Sequence, residues 1–244
     1  MYEQFAQFYD RLGWDTYAKE LWPDFKSYLD KIGFKPQTLL DIACGTGALC
    51  ICASKGGIIA EGLDISDEML KKAGANAKEN GVEINLYHRD MSNFNLYKKY
   101  DLVTCTFDAI NHMIDFQKWL SMFKCVKEHL NDGGLFMFDM NTLKDLKENW
   151  NNIHIKKYPA GDYHISKSIS FGDMACVTFT AFVKKDDLLF EGYEETVREV
   201  SFPLDDIKNV LLNLDFKDIK IMDRRFIEVD NIDMLTRAFI IATK

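Results

Sequence analysis

Along the chain, apolar positions follow two periods, and the switches between them mark out the elements. Residues 38–42, Thr-Leu-Leu-Asp-Ile, form a short apolar run that reads as a buried strand. The tight turn Cys44-Gly45-Thr46-Gly47 follows, and from Ala48 a helix runs to the stop at Gly56-Gly57. The same alternation then repeats. Residues 58–63 are a second strand closing on Asp64, and Ser66 caps a helix with Met69, Ala73 and Ala77 on one face. Asp67 and Glu68 fall in its positive first turn, and Asn80-Gly81 ends it. Residues 84–88 and 100–107 are the third and fourth strands. Asp115 caps a helix with the stripe Phe116, Trp119, Leu120, Phe123 and Leu130, stopped by Asn131-Asp132-Gly133-Gly134. Residues 135–139 are the fifth strand, and 140–142 lead into a helix through Trp150.

The flanks differ. Tyr2, Phe5, Phe8, Tyr9 and Leu12 have helical spacing, which Gly13-Trp14-Asp15 breaks. Asp15 is placed to cap a second helix to about Ile32, with Pro23 a kink or restart. From 154 to 202 the period falls to two, with turns at Pro159-Ala160-Gly161, Gly172-Asp173 and Lys185-Asp186-Asp187. Residues 174–183 and 188–200 pair as a hairpin through 184–187. Helix returns at 203–214, with Asp215 where glycine would be the easier stop, and 216–229 and 236–243 are two last strands. Alternating strands and helices predict an α/β, Rossmann-like doubly wound domain. The expected organisation is an N-terminal helical segment (1–36), a main domain (37–150 and 203–244) and an inserted antiparallel β cap on the substrate side (151–202).

Composition narrows the partners. The 244 residues are 47% hydrophobic, enough for a sizeable core, and carry a net charge of −8. That charge disfavours a surface that tracks phosphates, and so disfavours nucleic acid. Six cysteines show no C-x-x-C spacing, so reduced thiols are expected and no metal site. With no signal segment and no run of 18 apolar residues, the expectation is a cytoplasmic protein without a membrane span. Monomer and homodimer both remain open.

The first turn carries the chemistry. A strand, a glycine turn and a helix N-terminus suit a negative group. Asp41 beside it repels phosphate but suits a ligand that also carries a cation. The dinucleotide fingerprint G-x-G-x-x-G is incomplete, because its third position is Cys50. Asp64 lies about twenty residues beyond the glycines, where nucleoside sites place the carboxylate that accepts from ribose hydroxyls; a helix N-terminal partner is the plainer alternative.

The heptad Asp41-Ile42-Ala43-Cys44-Gly45-Thr46-Gly47 closely resembles the first motif of the class I S-adenosylmethionine-dependent methyltransferases. The resemblance covers 38–139 well and the final strands loosely. It implies seven strands in the order 3-2-1-4-5-7-6, the last antiparallel, and S-adenosylmethionine as cofactor, which carries an ammonium, a carboxylate and a sulfonium. It also implies a cofactor site of Asp41, Ala43, Cys44, Gly45, Thr46 and Gly47, with Asp64 on the ribose and Ile65 and Met69 among the cofactor contacts. Asp90 and Met91 would take the adenine, and Phe107 and Asp108 complete the set. Phe-Ala-x-x-Tyr-Asp at 5–10 resembles a family segment that folds over the cofactor; an ordinary amphipathic helix is the alternative.

Methyl transfer needs a base only when the nucleophile arrives protonated. His112, after the fourth strand, is the first candidate, with substrate hydrogen bonding or helix-start packing as its other roles. Tyr9, from the N-terminal segment, is a further polar candidate in catalysis, and Asp108 and Asn111 are placed to orient cofactor or substrate. Glu191, Glu194 and Glu195 would favour a cationic acceptor or merely solvate an edge, and Tyr193, Phe171, Phe179 and Phe182 are candidates for an apolar pocket. The resulting expectation is a methyltransferase acting on a small molecule, amine nitrogen somewhat preferred over oxygen. The alternatives are RNA or protein methylation, a nicotinamide oxidoreductase and a non-catalytic cofactor sensor.

Overall fold

Seven strands, the inner ones buried on both faces, build the central sheet of the computed structural model, which describes residues 5–186 and 188–244. In sequence they are β1 (Thr38–Ile42), β2 (Ile59–Asp64), β3 (Asn85–His88), β4 (Tyr100–Cys105), β5 (Leu130–Asn141), β10 (Lys217–Met222) and β11 (Arg237–Thr243). Their spatial order is β10-β11-β5-β4-β1-β2-β3. β1 pairs in parallel with β2 and β4, whereas β11 runs antiparallel to both β5 and β10. This is the seven-stranded order expected, with the final strand reversed.

Helices cover the two faces. On one, α5 (Phe116–His129) and α7 (Leu204–Asn213) bring Trp119, Phe123 and Leu211 onto Val103, Phe136 and Ile240. On the other, α2 (Thr16–Lys31) and α3 (Ala48–Lys55) bring Phe25, Leu29, Leu49 and Ala53 onto Leu39, Leu102 and Met137. Double coverage is why the inner strands read as largely apolar runs. α4 (Asp67–Glu79) packs beside β2 and β3. No helix among the described residues is long and apolar enough to cross a membrane.

After β5 and the short α6 (Leu143–Glu148), the chain builds a second, antiparallel sheet. Its strands are β6 (Ile153–Lys157), β7 (Tyr163–Phe171), β8 (Met174–Lys184) and β9 (Phe190–Val200). Ala175, Val177, Ala181, Val183 and Val197 are buried, while Ile153, Ile155, Ile169 and Phe171 are exposed. Phe5, Phe8 and Leu12 from the N-terminal segment pack onto Ala181 and Val183.

Several element boundaries differ from expectation. The first helix, α1, spans only Ala6–Tyr9, because Phe5, Phe8 and Leu12 face the second sheet and turns with Gly13 at φ +72 redirect the chain. Tyr2 lies outside the described residues, as does Asp187 in the β8–β9 turn. α2 runs unbroken through Pro23, held by the burial of Leu21, Trp22, Phe25 and Leu29 on either side of it. Asp15 makes no cap bond and instead pairs with Lys19 one turn on. β4 stops at Cys105, since Phe107 and Asp108 take left-handed conformations. β5 begins already at Leu130. Tyr100 pairs with Leu130 and Leu102 with Leu135, so two steps on β4 match five on β5 and the extra residues bulge out. β10 ends at Met222, where the Asp223 carboxylate accepts the Arg225 and Ile227 amides and turns the chain. α6 stops at Glu148, and the six cysteines are free thiols.

Candidate active site

The carboxyl ends of β1, β2, β4 and β5 open into a cavity of about 640 Å³, as expected for a switch point in such a sheet. Asp41, the penultimate residue of β1, is 2% exposed and accepts the Thr104 hydroxyl at 2.6 Å. Burial pushes its carboxyl up to about 7, against the pull of that hydrogen bond, and the Asp64 and Asp139 charges add to the rise. In the following turn Gly45 has φ +54 and nothing within 4 Å of where a Cβ would lie, so the backbone stays bare towards the cavity. Gly47 differs. A Cβ there would come within 3.0 Å of Ala73 Cβ, so this glycine lets α4 approach and does not reach the cavity wall.

Asp64 ties the turn to the head of α4. Its Oδ2 accepts the Gly45 amide at 2.8 Å and its Oδ1 accepts the Ser66 amide at 2.9 Å. Burial raises its pKa and these two bonds oppose the rise. A carboxylate has about four acceptor sites, so capacity remains on the cavity side. Ile65 and Met69 lie on the same wall. Asp90 Oδ1 accepts the Ser92 amide and hydroxyl at 2.8 and 2.7 Å, with Met91 beside it.

At the other end, fully buried Asp139 organises the loop after β4. It accepts the Phe107 amide at 2.7 Å, the Asp108 amide at 3.3 Å, the Tyr17 hydroxyl at 2.9 Å and Arg237 Nε at 2.5 Å. Arg237 Nη2 also donates to Asp108 Oδ1 at 2.5 Å, and its guanidinium lies 4.7 Å from the Tyr17 ring centre. Asn141 Nδ2 bridges two carboxyls, Asp108 Oδ2 at 3.1 Å and Glu199 Oε2 at 2.8 Å. Glu199 is 3% exposed, and burial, reinforced by the Asp108 charge, pushes its carboxyl well up. His112 Nδ1 donates to the Arg198 carbonyl at 3.3 Å, which places the ring's lone pair on Nε2. Burial pushes this imidazole down, so it is neutral at pH 7. Ligating atoms of Asp108, His112 and Glu199 lie within 4.8 Å of one another.

The N-terminal segment closes one side. Asp10 accepts the Thr46 hydroxyl at 2.6 Å and Asn76 Nδ2 at 2.7 Å, fixing the segment to the glycine turn and α4. Arg11 forks onto fully buried Asp162 at 2.5 and 2.7 Å, fixing it to the second sheet. Tyr9 and Trp14 therefore line the cavity. Burial, with Asp108 and Asp64 nearby, pushes the Tyr9 hydroxyl far up, which leaves it a donor and not a base.

Apart from Gly47, every residue expected to hold the cofactor or to act in catalysis, His112 and Tyr9 included, lines this one cavity. Asn111 lies beneath it, donating to the Asn141 and Val200 carbonyls. Glu191 pairs with Lys185 at the surface, and exposed Glu194 accepts the Thr180 hydroxyl. Tyr193 packs against Phe8 with the rings tilted at 45°, Phe179 lines the cavity, and Phe171 and Phe182 are on the exposed face. Sequence reasoning missed Tyr17, Asp139, Asn141, Glu199 and Arg237. Only Glu199 had a signal, since strand alternation puts it in phase with Val197.

Residues 39–134 match the profile of the methyltransferase-domain family. The chain is 26% identical over 227 residues, 90% of each chain, to a provisionally named methyltransferase of Geobacillus sp. (strain WCH70). It is 30% identical over 176 residues, 66% of this chain and 71% of the other, to the ubiquinone biosynthesis O-methyltransferase of Shewanella sp. (strain ANA-3). A crystal structure of an S-adenosylmethionine-dependent methyltransferase from Clostridium acetobutylicum ATCC 824 is 25% identical, with a TM-score of 0.84 over 99% of this chain and 98% of that one. This chain belongs to the class I S-adenosylmethionine-dependent methyltransferases. The methyltransferase also shares 40% identity over 80 residues, 32% of its length and 29% of the other, with the dTDP-3-amino-3,6-dideoxy-alpha-D-glucopyranose N,N-dimethyltransferase of Streptomyces fradiae. Its fold is shared by an S-adenosylmethionine-bound amino pentose methyltransferase from Micromonospora echinaspora, at a TM-score of 0.69 and 16% identity over 100% of this chain and 91% of that one. The cavity of this methyltransferase fits S-adenosylmethionine. The bare backbone at Gly45 admits a close ligand, and a cation near Asp41 would relieve a carboxylate held at a cost.

Proposed function

We propose that this enzyme methylates a nitrogen on a small-molecule amine bound at the Asp108–His112–Glu199 end of the cavity. The observation that carries this reading is a neutral imidazole held beside buried Glu199 and half-buried Asp108, an environment that attracts a cationic amine and can then take its proton. The stretch shared with the Streptomyces fradiae amino-sugar N,N-dimethyltransferase supports it. RNA or protein as acceptor fits less well, because the chain carries a net charge of −8 and the cavity is about 640 Å³ for cofactor and acceptor together.

Asp64 would accept from the ribose hydroxyls, Asp90 and the Met91 amide would take the adenine, and Asp41 and Gly45 would face the amino-acid end. When bound, S-adenosylmethionine supplies a methyl carbon already activated by a sulfonium. The protein's part is to exclude water, align the acceptor lone pair and remove a proton. His112 Nε2 takes that proton, with Nδ1 steadied on the Arg198 carbonyl. Tyr9 donates from the N-terminal segment, which acts as a lid, and the second sheet walls the acceptor.

The test is label transfer from S-adenosylmethionine to a panel of amines and alcohols. The expected product is an N-methylated amine, and labelled alcohols alone would overturn the reading. Tight cofactor binding with no transfer to any acceptor would favour a sensor. His112→Ala should keep cofactor affinity and lower kcat about 100-fold; full turnover would exclude His112 as the base.

A further inference from the structure

We propose that Glu199, with Asp108, docks the acceptor's amino group as an ammonium ion and so selects cationic amines over alcohols. The proposal rests on the amine reading above and assigns its specificity to a residue of the second sheet. Glu199 is carried by β9, in phase with buried Val197, and lines the cavity while 3% exposed. It is outside the β1–α3 turn that faces the cofactor, so it addresses the acceptor.

The charges around it do not balance. Arg237 from β11 contacts Asp108 and Asp139, and the other groups facing Glu199 are the Asn141 amide from β5 and the His112 imidazole after β4. One guanidinium thus serves three carboxyls, and Glu199 is the one it does not touch. The Asn141 amide holds the Glu199 and Asp108 carboxyls side by side without adding charge. Two adjacent carboxyls, buried Glu199 and half-buried Asp108, do not both ionise readily, and burial together with the Asp108 charge pushes Glu199 towards its protonated form. An arriving ammonium supplies the absent positive charge. The amine enters as R–NH3⁺, Glu199 gives one proton to solvent, and the group's net charge is unchanged. A neutral alcohol brings no charge and draws no proton out. Asp108 already accepts from Arg237 and Asn141, which directs the cluster towards a hydrogen-bonding ammonium and away from a metal ion.

The experiment uses the full chain, the best amine from the label-transfer panel and its hydroxyl analogue. Glu199→Gln keeps the size of the side chain, its oxygen still accepting from Asn141 and its amide donating to Asp108. We expect KM for the amine to rise at least about 30-fold with a smaller change in kcat, while cofactor affinity stays the same. Calorimetry at neutral pH in two buffers of different ionisation enthalpy should show net proton release on amine binding by the wild type and none by Glu199→Gln. Glu199→Asp, which keeps the charge, should recover part of the amine affinity. Methylation of amines with an unaltered KM in Glu199→Gln overturns the docking role and leaves the amine reading intact. Methylation of alcohols alone overturns both. Should Glu199→Gln not fold, the wild-type titration decides, and amine binding without proton release overturns the proposal.

Discussion

Asp41 is a carboxyl folded where its charge is costly. Burial raises its pKa from 3.8 to about 7, so the folded state holds this proton more tightly than the unfolded chain does. Its contribution to stability is complete below about pH 4 and is lost as pH rises through 7. Asp41→Asn removes that loss. The ligand-free variant should gain stability relative to the wild type between pH 4 and pH 8 in chemical denaturation, and an unchanged difference would refute a raised Asp41. Cofactor affinity should fall roughly tenfold in the same variant at pH 8, since the carboxylate's attraction for a nearby cation is lost. In Asp64 one residue holds two jobs. Its bonds to the Gly45 and Ser66 amides build the turn that its remaining lone pairs would use on a ribose. Such a residue is legible in sequence as an acid after a strand, but its structural share is not, because backbone partners leave no mark on composition.

The N-terminal segment shows how one element joins others. Asp10 fastens it to Thr46 and Asn76, and Arg11 to Asp162. Thr46→Val deletes one of these charge-assisted bonds while keeping the branch at Cβ. Cofactor dissociation should then quicken about fivefold, with faster amide exchange across 5–15, and unchanged exchange there would separate the segment from the cofactor site. Elements buried on both faces were readable in sequence, as β1 shows by matching its expected span residue for residue. Where apolar spacing serves tertiary packing, the reading failed. Phe5, Phe8 and Leu12 mimic a helical stripe because they meet the second sheet at three points along a turn. The spacing predicts too long a β10, because apolar residues of the loop after it, such as Phe226, pack into the core without belonging to a strand. Alternation in β9 puts Glu191, Glu195, Val197 and Glu199 on one face but does not say that burial deepens along the strand, so the exposed end points to Glu191, Glu194 and Glu195 and leaves Glu199 out. Arg237 and Asp139 meet across 98 residues of chain, a separation that no local pattern encodes.

At the scale of the molecule, the cavity lies where three parts meet: the first turn of the main sheet, the N-terminal segment and the second sheet. A ligand that touches all three and has no affinity for the unfolded chain stabilises the whole by mass action, about 2.7 kcal/mol at a hundred times its Kd. For a chain of 244 residues this corresponds to a rise in Tm of about 5–10 °C. Arg11→Ala tests whether the parts share that gain. The substitution leaves buried Asp162 with the Lys184 amide, so the ligand-free Tm should fall by a few degrees. If the clamp on the second sheet holds the segment over the cofactor, S-adenosylmethionine should also raise the variant's Tm by less than it raises the wild type's. Its protection of the chain around Trp14 against limited proteolysis should weaken in parallel. An equal gain in both proteins, with equal protection, would mean that the cofactor is held by the first turn and its neighbouring strands alone, and that the Arg11–Asp162 pair merely fastens the segment to the second sheet.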